Sequence, residues 1–226
     1  MAGHGDGLRK LRLKAPLSDE DLKQIRPGDI VFLDGIIYTG REGVYRKVVD
    51  EGAEPPVDLR ALSNVNFHCS PAAAVQDDGS YRIGAVTATA SFRFSRSLPK
   101  WFAKTGCKAV IGKGGMNPKD YRETFVPAGA VYLTTVGYGT GALLGRGIRD
   151  VLAAHWIDEL GIAQAMWVLR VENFGPLIVE SDLAGNSLFE QQNAQINARI
   201  EKLYEGLKTP ALRRHGETDD KTEELI

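Results

Sequence analysis

Residues 108–116 read Lys108-Ala109-Val110-Ile111-Gly112-Lys113-Gly114-Gly115-Met116, an apolar run that stops at a glycine and delivers a lysine between glycines. A short apolar run without polar alternation reads as a strand buried on both faces, as in a parallel sheet covered by helices. The flanks agree. Upstream, Leu98 to Lys104 is a short helix stopped by Gly106; downstream, Pro118 to Glu123 is helical and leads to a second apolar strand, Ala130 to Leu133. Helix, strand, helix and strand in that order predict an α/β domain.

Toward the N-terminus, Ser18 is placed to cap a helix, with Asp21 closing a capping box and Leu17 stapling onto Leu22. Ile30 to Leu33 and Ile36 to Tyr38 read as two strands around Asp34-Gly35, and Arg41 to Val49 has the spacing of a short amphipathic helix. Val65 to Cys69 and Ile83 to Thr89 read as strands, the second entered through a turn at residues 77–80. Toward the C-terminus, glycine-rich residues 137–147 lead into an expected helix from Ile148 to Trp156, followed by strands from Met166 to Val171 and from Pro176 to Val179. A closing helix has Ser187 as its cap, Glu190 at the capping-box position, and Leu188, Phe189, Ile196, Ile200, Leu203 and Tyr204 along one face. The expected organisation is a flexible N-terminus over 1–16, one domain over 17–207 and a disordered tail over 208–226.

Composition narrows the function. With 28 basic and 29 acidic side chains in 226 residues, the net charge of -1 provides no long-range field for nucleic acid or an anionic membrane. No apolar run approaches the roughly 20 residues of a membrane span, and the first residues lack the apolar stretch of a secretory signal. Cys69 and Cys107 are the only cysteines. They cannot supply the three or four thiolates of an iron–sulfur cluster, and they suit a reduced, cytoplasmic setting. Glycine, at 25 residues, is the one excess.

Several stretches carry candidate chemistry. Lys113, at the carboxyl end of a buried strand and flanked by glycines, is presented to an anion. Thr89, Ser91 and Arg93 share one face if strand geometry continues through them, so that two hydroxyls and a guanidinium converge on a carboxylate. Arg41 opens a helix after a strand, where anions are favoured. Gly137-Tyr138-Gly139-Thr140-Gly141-Ala142 matches the GxGxxA of a dinucleotide site, although the acid required further on falls at Asp158 or Glu159, in a helix end. His4, His68, His155 and His215 form no ligand-spaced set. His68 and Cys69, adjacent on a strand, point to opposite faces and make no nucleophile pair.

Six stretches taken in order carry a resemblance. They are Gly35 to Glu42, Ser91-Phe92-Arg93, Ile111 to Met116, Phe125 to Gly129, Leu160-Gly161 and Phe174 to Val179. Together they resemble the beta subunit of iron–sulfur hydro-lyases, the class I fumarate hydratases and L(+)-tartrate dehydratases, across about residues 20–205, with the stretch from His155 to Gly161 closest to the tartrate enzymes. The resemblance implies a swivelling β/β/α domain with a C-terminal helix, closing over an active site built by an alpha subunit. That partner would ligate a [4Fe-4S] cluster acting as a Lewis acid, with no cofactor bound by this chain alone. An alpha2beta2 assembly is implied, acting on a small dicarboxylate.

By motif position, Arg41, Arg93 and Lys113 grip the dicarboxylate and Thr89 takes part in proton transfer. The sequence departs from the family where Thr87-Ala88-Thr89-Ala90-Ser91 lacks a Gly-Pro and a second threonine, so that a short insertion after Gly84 would put Thr87 in the key position instead. Tyr45 also stands where the family has a histidine in the helix after Arg41. The competing functions are an NAD(P)-binding oxidoreductase using residues 137–142 and a non-catalytic subunit of the same complex.

Overall fold

A computed structural model describes residues 8–200, 202 and 205–206. Nine strands and nine short helices occur among them. Strand β1 spans Lys10–Ala15, α1 Asp19–Gln24, β2 Ile30–Thr39 and α2 Glu42–Tyr45, the last continued by a wider π-type turn over Arg46–Asp50. Then come α3 (Leu59–Leu62), β3 (Val65–Phe67), β4 (Cys69–Val75), β5 (Tyr81–Ala88), α4 (Leu98–Thr105) and β6 (Ala109–Gly112). They are followed by α5 (Pro118–Asp120), a second π-type turn over Tyr121–Phe125, α6 (Val126–Ala128), β7 (Val131–Thr135), α7 (Gly141–Arg146), β8 (Ile148–His155), α8 (Ile157–Leu160), β9 (Met166–Ser181) and α9 (Leu188–Asn197).

Seven strands form one sheet in the order β1-β2-β3-β6-β7-β9-β8. Strand β9 also pairs antiparallel with β2, so β2, β3, β6, β7 and β9 close into a ring. The chain is therefore α/β, with a parallel run β1-β2-β3-β6-β7 closed by one long antiparallel strand. Strands β4 and β5 form a separate antiparallel hairpin.

The alternation of strand side chains divides the interior in two. Val31, Leu33, Phe67, Ala109, Ile111, Val131, Leu133, Trp167 and Leu177 meet in one buried cluster. Their neighbours of opposite parity, Tyr38, Val110 and Tyr132, meet a second cluster with Tyr45, Trp101, Phe102, Tyr121 and Phe125 from the helices and turns. Trp101 is fully buried and stands edge-on to Tyr45 with ring centroids 4.7 Å apart. Trp101→Ala is expected to lower stability by about 3–5 kcal/mol in urea unfolding, through lost burial and an unfilled cavity.

Several expectations hold locally. Ser18 and Asp21 form the capping box of α1, and Gly106 ends α4 in the left-handed conformation at φ 69°. Others are corrected. The two strands expected around Asp34-Gly35 are one ten-residue strand, β2, and the two expected between 166 and 179 are one sixteen-residue strand, β9. That strand changes its buried parity near Asn173, where φ is 49°. Residues expected to be flexible up to 16 include β1, paired in register with β2.

The helix expected from Ile148 to Trp156 is strand β8, and the helix lies earlier, at α7. In β8, Ile148, Val151 and Ala154 pack on the first core while Arg149, Asp150 and Leu152 are exposed. Its three-residue apolar spacing mimics a helix because the register against β9 slips twice.

The closing helix is capped by Ser187, whose Oγ accepts from the backbone N–H of Glu190 at 3.1 Å. Contacts divide the chain into one unit ending at Gln191 and another beginning at Gln192, which carries the remainder of α9. Leu203, Tyr204, residues 1–7 and the tail expected over 208–226 lie outside the described residues.

Candidate active site

The seven-stranded sheet hands over to the hairpin at His68, and four of the candidate residues sit around that point. The His68 N–H donates to the Ile111 carbonyl at 2.8 Å, and the His68 carbonyl accepts from the Thr89 N–H at 2.7 Å. The Thr89 carbonyl in turn accepts from the Lys113 N–H at 3.2 Å. Two residues beyond His68, Ser70 Oγ receives a hydrogen bond from Arg41 Nη1 and donates to the Ala163 carbonyl at 3.2 Å. Ser70 faces Thr87 across the hairpin. Arg41, Thr87, Thr89 and Lys113 are thus tied to one crossing of the chain.

Arg41 caps α2 with extended backbone, and α2 itself is a single turn. The segment after α8 wraps this turn: Arg41 Nη1 also donates to the Ala163 carbonyl at 3.3 Å, and the Gly43 N–H donates to Gln164 Oε1 at 3.1 Å. Arg41 Nε is buried with no hydrogen-bond acceptor. Burial lowers the Arg41 pKa, and the nearby positive charge of Arg93 lowers it further. Arg93 itself is about half exposed and pairs with Glu42 at 3.0 Å. Glu42, the residue after Arg41, thus neutralises the second arginine.

The shared strand face expected for Thr89, Ser91 and Arg93 does not form. Strand β5 ends at Ala88, and Phe92–Phe94 is a 3-10 turn, so Ser91 points inward and Arg93 outward. Lys113 and Thr87 line one cleft of about 160 Å³ together with Thr135, Gly137 and Thr140. Arg93 lines another, of about 470 Å³, beside Glu42 and Arg96. Thr89 is nearly buried and meets Lys113 through its backbone.

Beneath these lies a buried group whose connection the sequence did not reveal, although Tyr45, His68 and Ser91 were each named there for other reasons. Tyr45 Oη lies 2.7 Å from His68 Nε2 and accepts from Asn66 Nδ2 at 3.0 Å. His68 Nδ1 lies 2.7 Å from Ser91 Oγ, which is 2.8 Å from Tyr132 Oη. Tyr132 Oη reaches the Lys113 carbonyl at 3.3 Å. Burial, with Arg41 adding to it, pushes the His68 pKa down to about 3, so the imidazole is neutral. A Cβ on Gly112 would come within 2.0 Å of Ser91 Oγ and 2.5 Å of Tyr132 Oη, which explains the glycine at the end of β6. The available signal was the lone tyrosine in each of two apolar patterns, since a buried phenol requires a partner.

The glycine loop at 137–142 does not make a dinucleotide site. Among the described residues, helix α7 leads into β8, which pairs only antiparallel with β9, so the β-α-β unit with a parallel second strand is absent there. The glycines serve packing instead: a Cβ on Gly141 would lie 2.4 Å from the Val86 carbonyl oxygen, and one on Gly145 2.4 Å from that of Gly84.

Nor do the side chains suit a metal cluster. No three His, Cys, Asp or Glu side chains converge among the described residues. Cys69 and Cys107 are buried and unpaired, and burial raises both thiols, that of Cys107 to about 12. A buried, protonated thiol is a poor ligand.

No helix among the described residues is long and apolar enough to cross a membrane. Compared with known proteins, residues 2–192 match the family model described as "Fumarase C-terminus". The chain is 35% identical over 190 residues to the "Putative L(+)-tartrate dehydratase subunit beta" of Methanocaldococcus jannaschii, covering 83% of this chain and 95% of that one. It is 30% identical over 195 residues to the "L(+)-tartrate dehydratase subunit beta" of Escherichia coli K12, covering 85% and 93%. It is also 35% identical over 182 residues to the "Putative fumarate hydratase class I" of Geobacillus stearothermophilus, covering 80% of this chain and 34% of that protein.

Proposed function

The chain belongs to the fumarase C-terminus family, and on that premise we propose that it is the beta subunit of a hydro-lyase of the tartrate dehydratase and class I fumarate hydratase type. An alpha subunit carrying a [4Fe-4S] cluster supplies the Lewis acid, and the two assemble as alpha2beta2 in the cytoplasm. The closed ring, the hairpin and the flanking helices serve as the swivelling β/β/α portion that meets the alpha subunit's site.

The carrying observation is Arg41. Its guanidinium is partly buried, its Nε has no acceptor in the protein, and a second arginine stands near enough to act on it. An unpaired buried donor is costly, and a carboxylate fits the edge of a guanidinium with two parallel hydrogen bonds. A four-carbon diacid carries about two negative charges near neutral pH. Arg41 and Arg93 receive one end, Lys113 the other, and Thr89 receives or returns the proton at the carbon between them.

Co-expression with a cluster-bearing alpha subunit tests this. The expected result is a stable complex that dehydrates L-tartrate or hydrates fumarate, with neither activity in the isolated chain. Failure to form a complex with any such subunit, or turnover by the isolated chain, would overturn the reading. In the active complex, Thr89→Val is expected to abolish turnover and Thr87→Val to retain it; the reverse pattern moves the proton-transfer role to Thr87.

A further inference from the structure

The buried hydrogen bonds beneath the candidate site run in one line through Asn66, Tyr45, His68, Ser91, Tyr132 and the Lys113 carbonyl, with the Gly115 backbone also bonding Tyr132. Its five side chains are all at most 2% exposed, so bulk solvent does not reach them. Its two ends differ in character, with Asn66 presenting its Nδ2 to Tyr45 and leaving its buried Oδ1 without a partner. The Asn66 amide nitrogen can only donate, and a carbonyl oxygen can only accept.

These ends decide where the protons lie. With the imidazole proton on Nε2, Tyr45 Oη would accept from both Asn66 and His68, and its own proton would have no acceptor in the chain. Tyr132 would then spend its proton on Ser91, and its link to the Lys113 carbonyl would be lost. With the proton on Nδ1, every hydroxyl and ring proton of the line is matched. Asn66 donates to Tyr45, Tyr45 to His68 Nε2, His68 Nδ1 to Ser91, Ser91 to Tyr132, and Tyr132 to the Lys113 carbonyl. Leaving a buried hydroxyl proton unpaired costs its full desolvation, so the second arrangement prevails.

We infer that His68, as the Nδ1–H tautomer, is the positioning residue of the site, completing a directed chain that holds the turn after Arg41 and the strand end bearing Lys113 in one register. The inference rests on the proposed roles of Arg41, Thr89 and Lys113, and the backbone supports it independently. His68 bonds Ile111 through its N–H and Thr89 through its carbonyl, and Ser70, two residues on, holds Arg41. His68, which follows β3, reaches α2 through Tyr45.

The tautomer is read from long-range nitrogen–proton correlation spectra of the chain with isotope-labelled histidine. Nδ1–H is expected for His68, and Nε2–H overturns the inference. In the same chain, Tyr132→Phe is expected to shift the backbone amides of Gly43 to Tyr45 together with those of Gly112 to Gly114; a shift confined to the neighbourhood of residue 132 overturns it.

In the assembled enzyme acting on L-tartrate or fumarate, His68→Gln keeps a polar atom only toward Tyr45. It is expected to lower kcat/KM by about 10–100-fold, as a displaced site does. His68→Asn keeps the donor toward Ser91 and is expected to recover most of that loss; equal loss in both variants counts against the assignment. If the wild-type complex turned over neither acid, the substrate reading would fail, while the tautomer and the amide shifts would still decide the role of His68.

Discussion

Lys113→Met is expected to cut kcat/KM of the assembled enzyme for a dicarboxylate by about a thousand-fold, leaving the fold intact. Methionine keeps the length and apolar stem of lysine and removes only the charge. Taking one partner from a desolvated ion pair costs about 3–5 kcal/mol, or roughly two to four decades in rate. The loss belongs in kcat/KM for diacids and is expected to shrink for a substrate analogue lacking one carboxylate, since the analogue has nothing for Lys113 to hold. A variant within a few-fold of wild type on both would remove Lys113 from the site and point to a non-catalytic subunit. Arg41→Lys is the companion measurement. An ammonium keeps the charge but not the planar fork, so activity is not expected to survive that exchange.

The second large effect is an acid lability carried by one side chain. In the unfolded chain His68 has the ordinary histidine value of about 6.5, whereas burial holds it near about 3 in the fold. Between those values the unfolded state binds a proton that the folded state refuses. Stability from this group is therefore complete above about pH 6.5 and is lost as pH falls, at about 1.4 kcal/mol per pH unit, toward a total of roughly 4–5 kcal/mol. His68→Asn removes the titrating group. Urea unfolding of both chains at about pH 6.5 and pH 5 is expected to show the wild-type advantage shrinking by about 2 kcal/mol. An advantage independent of pH would mean that His68 titrates like an exposed histidine.

Much of the fold was legible because local signals and tertiary demands coincide. Ala109-Val110-Ile111 is apolar throughout because its two faces meet two different cores. The capping box at Ser18 and the stop at Gly106 are decided within one turn of chain. Strand β8 was not legible. Its register slips against β9 make apolar residues recur at helical intervals, and nothing within the segment reveals a slip made against a partner.

The candidate site divides the same way. Arg41 and Lys113 stand at punctuated strand ends visible in the sequence. The inward turn of Ser91 depends on the chain leaving extended geometry after β5, and the partnership of Tyr45 with His68 joins residues 23 apart on different elements. Such pairings exist only once the sheet is assembled.

Strand β9 also governs how the molecule must come into being. The ring opens with β2 at Ile30 and closes only when a strand ending at Ser181 pairs with both β2 and β7. As the chain is made, the parallel run can form, yet its two flanks keep unpaired backbone groups until most of the sequence is available. Closure across such separations is intrinsically slow. Until it occurs, the open flanks offer themselves to any neighbouring strand. The period of greatest aggregation risk is therefore set by the time between synthesis of β7 and docking of β9.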